Sequence, residues 1–358
     1  MGVRTGQRLV GAHLWGQKGR NSTRYVLNVM CSEKTDGPID AVVTWVDGDD
    51  PQHRQKLEAY LGRRARRRPK AAAETRYADR GELEYCVASL LRFAPWLRYI
   101  FIVTDAQRPG FLDRLPADVS DRVRVVDHTD IFHGMAEGLP TFNSLSIETV
   151  LWRIPGLAEK FIYFNDDCFL IKPVLASEFF DQGKVVLRGT FRPMIQPSLR
   201  RTLKRFIGIG RPTRRTLQSE TAGLVGMEER YLDVGHIPHP MRVSTFRDYA
   251  REHPQQMRHN ATYPLRHVRQ FWPIALANHL EIRHHSAEIS AYPESLYLNS
   301  KSGIRDIALL QDAEQRPECK FLCAQSLDNA SEEFMASWMD WMDRNVGRFQ
   351  SDFVQHLN

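Results

Sequence analysis

The chain reads as an α/β protein built on a mostly parallel sheet with helices on both faces, and three observations lead there. Four short apolar runs rich in Val, Ile, Phe or Tyr recur between residues 39 and 164. Segments with helical spacing lie between them, and turn-forming or acidic residues end each run. Continuous apolar strands alternating with helices belong to sheets that are covered on both sides.

Residues 1–36 are polar and aperiodic and read as an arm ahead of the ordered chain. Order begins at Ile39. Asp40 to Val46 is a β-branched run that stops in the turn cluster Asp47, Gly48, Asp49, Asp50, Pro51. Asp79 and Glu82 have the spacing of a helix start, with Asp79 as cap and Glu82 reaching back. Leu83, Val87, Leu90, Leu91 and Ala94 follow at helical spacing, and Pro95 ends the helix. Tyr99–Thr104 is a second strand ending at Asp105, and Arg122–Val126 a third ending at Asp127. A helix capped by Ser144 is predicted to run to Ile154, ahead of a fourth strand, Phe161–Phe164.

Beyond residue 182 the pattern loosens. Helices are predicted over 243–252, 267–280 and 331–349, the last with Phe334, Trp338, Trp341, Met342 and Val346 on one face. The chain divides into an arm (1–36), a catalytic domain (37–310) with a basic insertion at about 183–235, and a helical C-terminal segment (311–358). No internal repeat is present.

Composition narrows the function classes. With 358 residues, 42% hydrophobic and 26% charged, the chain is globular. No apolar run reaches the roughly 18 residues of a membrane span, and the N-terminus lacks the apolar core of a secretory leader. Five scattered Cys argue against a disulfide framework and for a reducing cytoplasm. The net charge of +6 equals the contribution of Arg63, Arg64, Arg66, Arg67, Arg68 and Lys70. A second basic stretch, 182–219, holds ten Lys or Arg and no Asp or Glu. Such clusters suggest an anionic partner. The first cluster holds no aromatics and the second few, whereas nucleic-acid modules interleave them, so nucleic acid is the weaker alternative. Leu199, Leu203, Phe206 and Ile207 alternate with Arg200, Arg201, Lys204 and Arg205 as in a basic amphipathic helix. Its two readings are peripheral contact with an anionic membrane, or an apolar face packed on the core with the basic face gripping an anionic polymer.

All four strands deliver carboxylates to one edge of the sheet, where ligands of open α/β sheets bind. The sharpest cluster is Asn165, Asp166, Asp167. Strand alternation would point Asn165 and Asp167 together, as ligands for a hard divalent cation; the plain alternative is capping of a turn. Cys168–Ile171 then resumes an apolar strand. Asp47 before Gly48 suits a nucleobase, a sugar hydroxyl or a metal, or simply a turn. His236 and His239 lie in a segment stiffened by Pro238 and Pro240, which suits a general base. Arg266 could steady a phosphoryl group.

These segments, in this order, resemble the Stealth family of sugar-phosphate transferases, which includes bacterial capsule polymerases. The first block is similar to residues 39–51, the second to 76–85 continuing through Ala94, Trp96, Asp105 and Gln107. The third resembles Leu139–Ser144, Ile147, Glu148 and Arg153 through Asp167. The fourth looks like His236–His239 followed by Arg266 and His267. The resemblance implies a glycosyltransferase-A-like core and a UDP-N-acetylhexosamine donor. Hexose-1-phosphate would pass to a hydroxyl of a glycan or capsular polysaccharide, with UMP leaving; sugar transfer releasing UDP is the alternative. It further implies Mg²⁺ or Mn²⁺ on Asp166 and Asp167, and Arg266 on the phosphoryl oxygens. His236 would take the acceptor proton. Asp47, Asp79, Glu82, Asn143, Ser144 and Asn165 would orient the donor. Lacking a membrane span, the protein is expected in the bacterial cytoplasm, peripheral to the membrane's inner face.

Overall fold

The computed structural model describes residues 36–349 apart from 63–80, 197, 211, 292–294, 300–301, 304–305 and 328–329. Five strands form the central sheet. The chain starts with β1 (Ile39–Thr44), α1 (Pro51–Leu61), α2 (Glu82–Phe93), β2 (Ile100–Thr104) and β3 (Val123–Asp127). The short helix α3 (Ser144–Glu148) precedes β4 (Lys160–Asn165). The chain then leaves this sheet for β5 (Cys168–Leu170), β6 (Phe180–Asp181), β7 (Lys184–Arg188) and β8 (Thr190–Pro193). The helices α4 (Leu199–Phe206) and α5 (Arg214–Leu224) follow, then β9 (Arg230–Asp233) and β10 (His239–Arg242). The remainder is α6 (Val243–Glu252), α7 (Pro254–Ala261), α8 (Pro273–Arg283), β11 (Ala287–Ser290), β12 (Ser295–Asn299), α9 (Ile307–Gln315), β13 (Phe321–Gln325) and α10 (Glu332–Asn345).

The central sheet has the order β10-β4-β1-β2-β3, with β1 to β4 mutually parallel and β10 antiparallel on β4. The predicted class, a mostly parallel sheet flanked by helices with further helical elements, is what the chain forms. β2 and most of β1 and β4 read as apolar runs because both faces are covered. Ile39, Ala41, Val43, Ile102 and Phe164 pack toward α2 and α10, while Val42, Phe101, Val103, Phe161 and Tyr163 pack toward α6, α7 and α8. A one-residue slip would exchange these two sets, so the register is strongly specified.

Three helix predictions shift. The helix at 82 begins without a side-chain cap; Gly81 stands before it at φ 90°, a conformation natural only to glycine. Asp79 lies outside the described residues. Ser144 is not the cap of α3: Asn143 is, its Oδ1 accepting from the Leu145 amide at 3.2 Å, and the helix stops at Glu148 before one 3₁₀ turn. The helix predicted over 267–280 runs over 273–283 instead, because Pro273 fits its first position, where no intrahelical N–H is needed.

Candidate active site

In the order β3-β2-β1-β4, the direction in which strands are added reverses between β1 and β4. The crevice beyond the C-terminal ends of these two strands is where such sheets bind ligands. Thr44 and Asn165 are register partners there, so both strands end level. The Tyr163 hydroxyl joins them, 2.9 Å from Thr44 Oγ1 and donating to Asn165 Oδ1 at 2.8 Å.

β4 ends at Asn165, and Asp166 and Asp167 form the turn into β5. The strand does resume at Cys168, yet β5 pairs with β13 in a different sheet rather than folding back on β4. Strand alternation therefore does not carry across the turn, and the expected shared face of Asn165 and Asp167 has no strand to support it. The Asp167 carbonyl accepts from the Ala324 amide at 2.9 Å, which ties the turn to β13. Burial pushes its carboxyl up to about 6. The Cys168 thiol lies 3.6 Å from it, and Asp167, Cys168 and Cys323 bring their donor atoms within 4.8 Å of one another. A carboxyl that burial drives toward protonation regains its charge beside a cation. The Asp167 carboxylate is a hard donor of the kind that suits Mg²⁺ or Mn²⁺, whereas the two thiols beside it are soft donors that such ions do not favour.

Glu82 is buried at the start of α2, one turn ahead of Cys86, whose thiol faces the Asn165 carbonyl. On the other side of the crevice, the Asp47 amide donates to Gln107 Oε1 at 2.9 Å, and Gln107 Nε2 donates back to the Asp47 carbonyl at 2.8 Å. The Asp47 carboxylate accepts from the Asp49 amide at 2.8 Å, so one of its oxygens serves the turn itself. Lys56 is paired with Asp105 at 2.9 Å.

A small apolar cluster gathers the segments that carry the predicted residues. Val46, Leu57, Leu61, Phe142 and Leu265 pack together. Three of them are chain neighbours of Asp47, Asn143 and Arg266. Asn143 is buried, and its amide donates to Ser146 Oγ, the Tyr263 carbonyl and Gln270 Oε1 at 2.9–3.0 Å. With Oδ1 capping α3, its groups are engaged in structure, so the structure casts Asn143 as a positioning residue. Ser144 Oγ accepts from the Arg266 guanidinium at 2.7 Å. Glu148, buried behind Ser144, accepts from Trp272 Nε1 at 3.0 Å, and burial pushes its carboxyl up to about 7 against the pull of Arg266.

His236 stacks on Tyr297, ring centroids 6.0 Å apart and planes at 22°. Burial, then the positive charges of Arg214 and Arg266, push its imidazole down to about 4, so it is neutral at pH 7. His239 is buried in β10 opposite Tyr163 and edge-on to Trp272. Arg214 was not singled out among the site residues by sequence; it is one cation of many in the acid-free stretch. It is held by Asp233 at 3.6 Å and by the Val234 carbonyl. Tyr297 feels both Asp167 and Arg214. Tyr297 is thus within electrostatic reach of both the acidic turn and Arg214, and it stacks on His236. Of the predicted residues, Ser144 is bonded to Arg266, whose charge reaches His236, while Asn165, Asp166 and Asp167 follow one another at the end of β4, with Glu82 one turn from the Cys86 that faces Asn165.

The fold is thus an α/β sheet with an acidic turn at the end of β4 and, around His236, the guanidinium groups of Arg214 and Arg266. Family comparisons are more specific. Residues 37–65 match Stealth protein CR1, conserved region 1, and residues 76–187 match Stealth protein CR2, conserved region 2. The chain carries both regions in order, which bears out the resemblance over its first three blocks; the fourth lies beyond both matches. The exopolysaccharide phosphotransferase SCO6023 of Streptomyces coelicolor is 38% identical over 220 residues, covering 61% of this chain and 35% of that protein. The capsular polysaccharide phosphotransferase cps1A of Actinobacillus pleuropneumoniae is 43% identical over 174 residues, 45% of this chain and 46% of that one. The chain thus spans less than half the length of either relative. Among solved structures, a galactosyltransferase LgtC with donor and acceptor sugar analogs superposes at TM-score 0.37 and 12% identity, covering 79% of this chain and 86% of that one.

Proposed function

We propose that the protein transfers hexose-1-phosphate, from a UDP-N-acetylhexosamine, to a hydroxyl of a glycan or capsular polysaccharide. The observation that supports this reading best is the Asp166–Asp167 turn at the carboxyl end of β4, together with the Arg214 and Arg266 charges around a neutral imidazole. Charge gathers on phosphoryl oxygens during such a transfer, and catalysis rests on positioning and neutralisation. The named activities of the curated relatives and the two Stealth regions point the same way.

The acceptor oxygen attacks the β-phosphorus and forms the new P–O bond. The bond from that phosphorus to the bridging oxygen breaks, and UMP leaves with the bridging oxygen and its electron pair. The acceptor proton passes to His236 Nδ1 or Nε2. Burial chiefly holds the imidazole neutral, and the guanidinium charges add to it; an incoming phosphoryl anion offsets those charges and makes the imidazole more basic. Arg266, fixed by Ser144, and Arg214, fixed by Asp233, face the equatorial oxygens. Asp166 and Asp167 would hold Mg²⁺ or Mn²⁺, whose charge offsets that of the diphosphate. Asp47, Asp79 and Glu82 orient the nucleotide sugar, and Asn143 and Asn165 hold the walls that receive it.

A donor labelled in its β-phosphate tests the assignment. Label in the glycan product, with UMP formed in equal amount, is expected. Label recovered wholly in UDP would convert the reaction to ordinary sugar transfer.

A further inference from the structure

We propose that α4 and the turn after it form a docking surface for an anionic lipid bilayer. Leu199, Leu203, Phe206, Ile207 and Ile209 are exposed, from 53% at Ile207 to 91% at Leu199. The apolar face therefore does not pack on the core. At helical spacing Leu199, Leu203, Phe206 and Ile207 share one sector of about 100°, the width of a buried stripe. Positions 200, 201, 204 and 205 lie round the helix outside this sector, beginning at its edge, and all four are Arg or Lys.

Charge and apolarity together select what covers this stripe. α4 itself carries four cations and no anion, so the partner carries negative charge. A polyanionic glycan would answer the cations and leave five apolar side chains in water. A second copy would set the same positive patch against itself. An anionic bilayer answers both, with headgroups for the cations and acyl chains for the stripe. The helix is also tied to the active site. Arg269 donates to the Phe206 carbonyl, and Gly208 packs so near His267 that an added Cβ would lie 3.3 Å from Nε2. A docked α4 brings the Arg266–Arg269 loop to the membrane surface. This inference goes beyond the proposed chemistry and holds whichever bond the site cleaves.

The full chain is sedimented at low ionic strength with vesicles of phosphatidylcholine alone and of phosphatidylcholine with phosphatidylglycerol. Pelleting with the anionic vesicles only, weakened by added salt, is expected. The double variant Leu203→Ser/Phe206→Ser should bind at least about tenfold more weakly with unchanged circular dichroism and Tm, since both side chains are exposed. Three outcomes overturn the proposal: no pelleting at low salt, equal pelleting of the double variant, or a variant altered only in self-association by velocity sedimentation. The second would leave a purely electrostatic, polymer-type contact; the third, an interface between copies.

Discussion

Glu148 carries a pH signature of its own. Its folded carboxyl titrates near 7 against an ordinary 4.5, because it is buried. The folded state therefore holds a proton that the unfolded state gives up, and stability is lost as pH rises from about 4.5 to 7. That loss is about 3 kcal/mol at most. Glu148→Gln should abolish it, giving a flatter Tm profile across this range. His236 and His239 run the other way, since burial holds them neutral, at about 4 and about 3, and stability falls as pH drops below the ordinary imidazole range. At the catalytic step, His236→Ala should lower kcat at least about a hundredfold while donor affinity, read by titration with UDP-sugar, changes little. Comparable losses in both would make His236 a binding residue instead. Asp167→Asn should remove metal-dependent turnover, and because it relieves a buried carboxyl, Tm without metal should hold steady or rise. Activity surviving both this change and EDTA would take the metal out of the reaction.

At the scale of elements, a buried carboxylate joins the start of β1 to its neighbours. Asp40 accepts from Arg98 Nε at 2.9 Å and Nη2 at 2.6 Å, and from the amides of Tyr99 at 3.1 Å and Ala158 at 2.7 Å. Asp40→Ala strands these donors and should cost about 3 kcal/mol, the lower end for a broken buried pair because Arg98 is partly exposed. On the other face, Trp338 of α10 is fully buried against Tyr85 and Phe169. Trp338→Ala should cost about 3–5 kcal/mol in urea denaturation. These elements were legible because burial leaves a pattern: β2 and most of β1 and β4 show it as apolar runs, and α10 as apolar residues at helical spacing. β3 is fainter, with exposed Arg124 and Val125 at the sheet edge. Boundaries were less legible where a single residue decides them. Asn143 rather than Ser144 caps α3 because its side chain is also wanted by Gln270, a residue 127 positions away.

For the whole molecule, the site was legible where carboxylates follow strands and hidden where single residues arrive from far off. Nothing local marks Arg214, one cation among ten, as a neighbour of His236, or Tyr297, one tyrosine among eleven, as a neighbour of Asp167. Both become visible only when β12 and α5 are placed around the crevice. Ligand binding should show up as a global effect. UDP-N-acetylglucosamine or its galactose isomer with Mg²⁺ should raise Tm by several degrees at saturating concentration, and EDTA should remove most of the shift. An equal shift without divalent metal would speak for donor binding that needs no cation.

The passage of the chain from one sheet to another at Asp166 and Asp167 has a temporal consequence. The acidic turn is written midway along the chain, but the amide that holds it belongs to Ala324, and the strand opposite Cys168 contains Cys323. During synthesis the parallel sheet can form as soon as β4 has emerged, while the turn still lacks half its walls. It closes only when β13 arrives some 150 residues later, and α10 then seals α2 from behind. A ribosome-bound chain halted before β13 should therefore hold a sheet and no site, and competence should appear late and abruptly, with the arrival of β13 and α10.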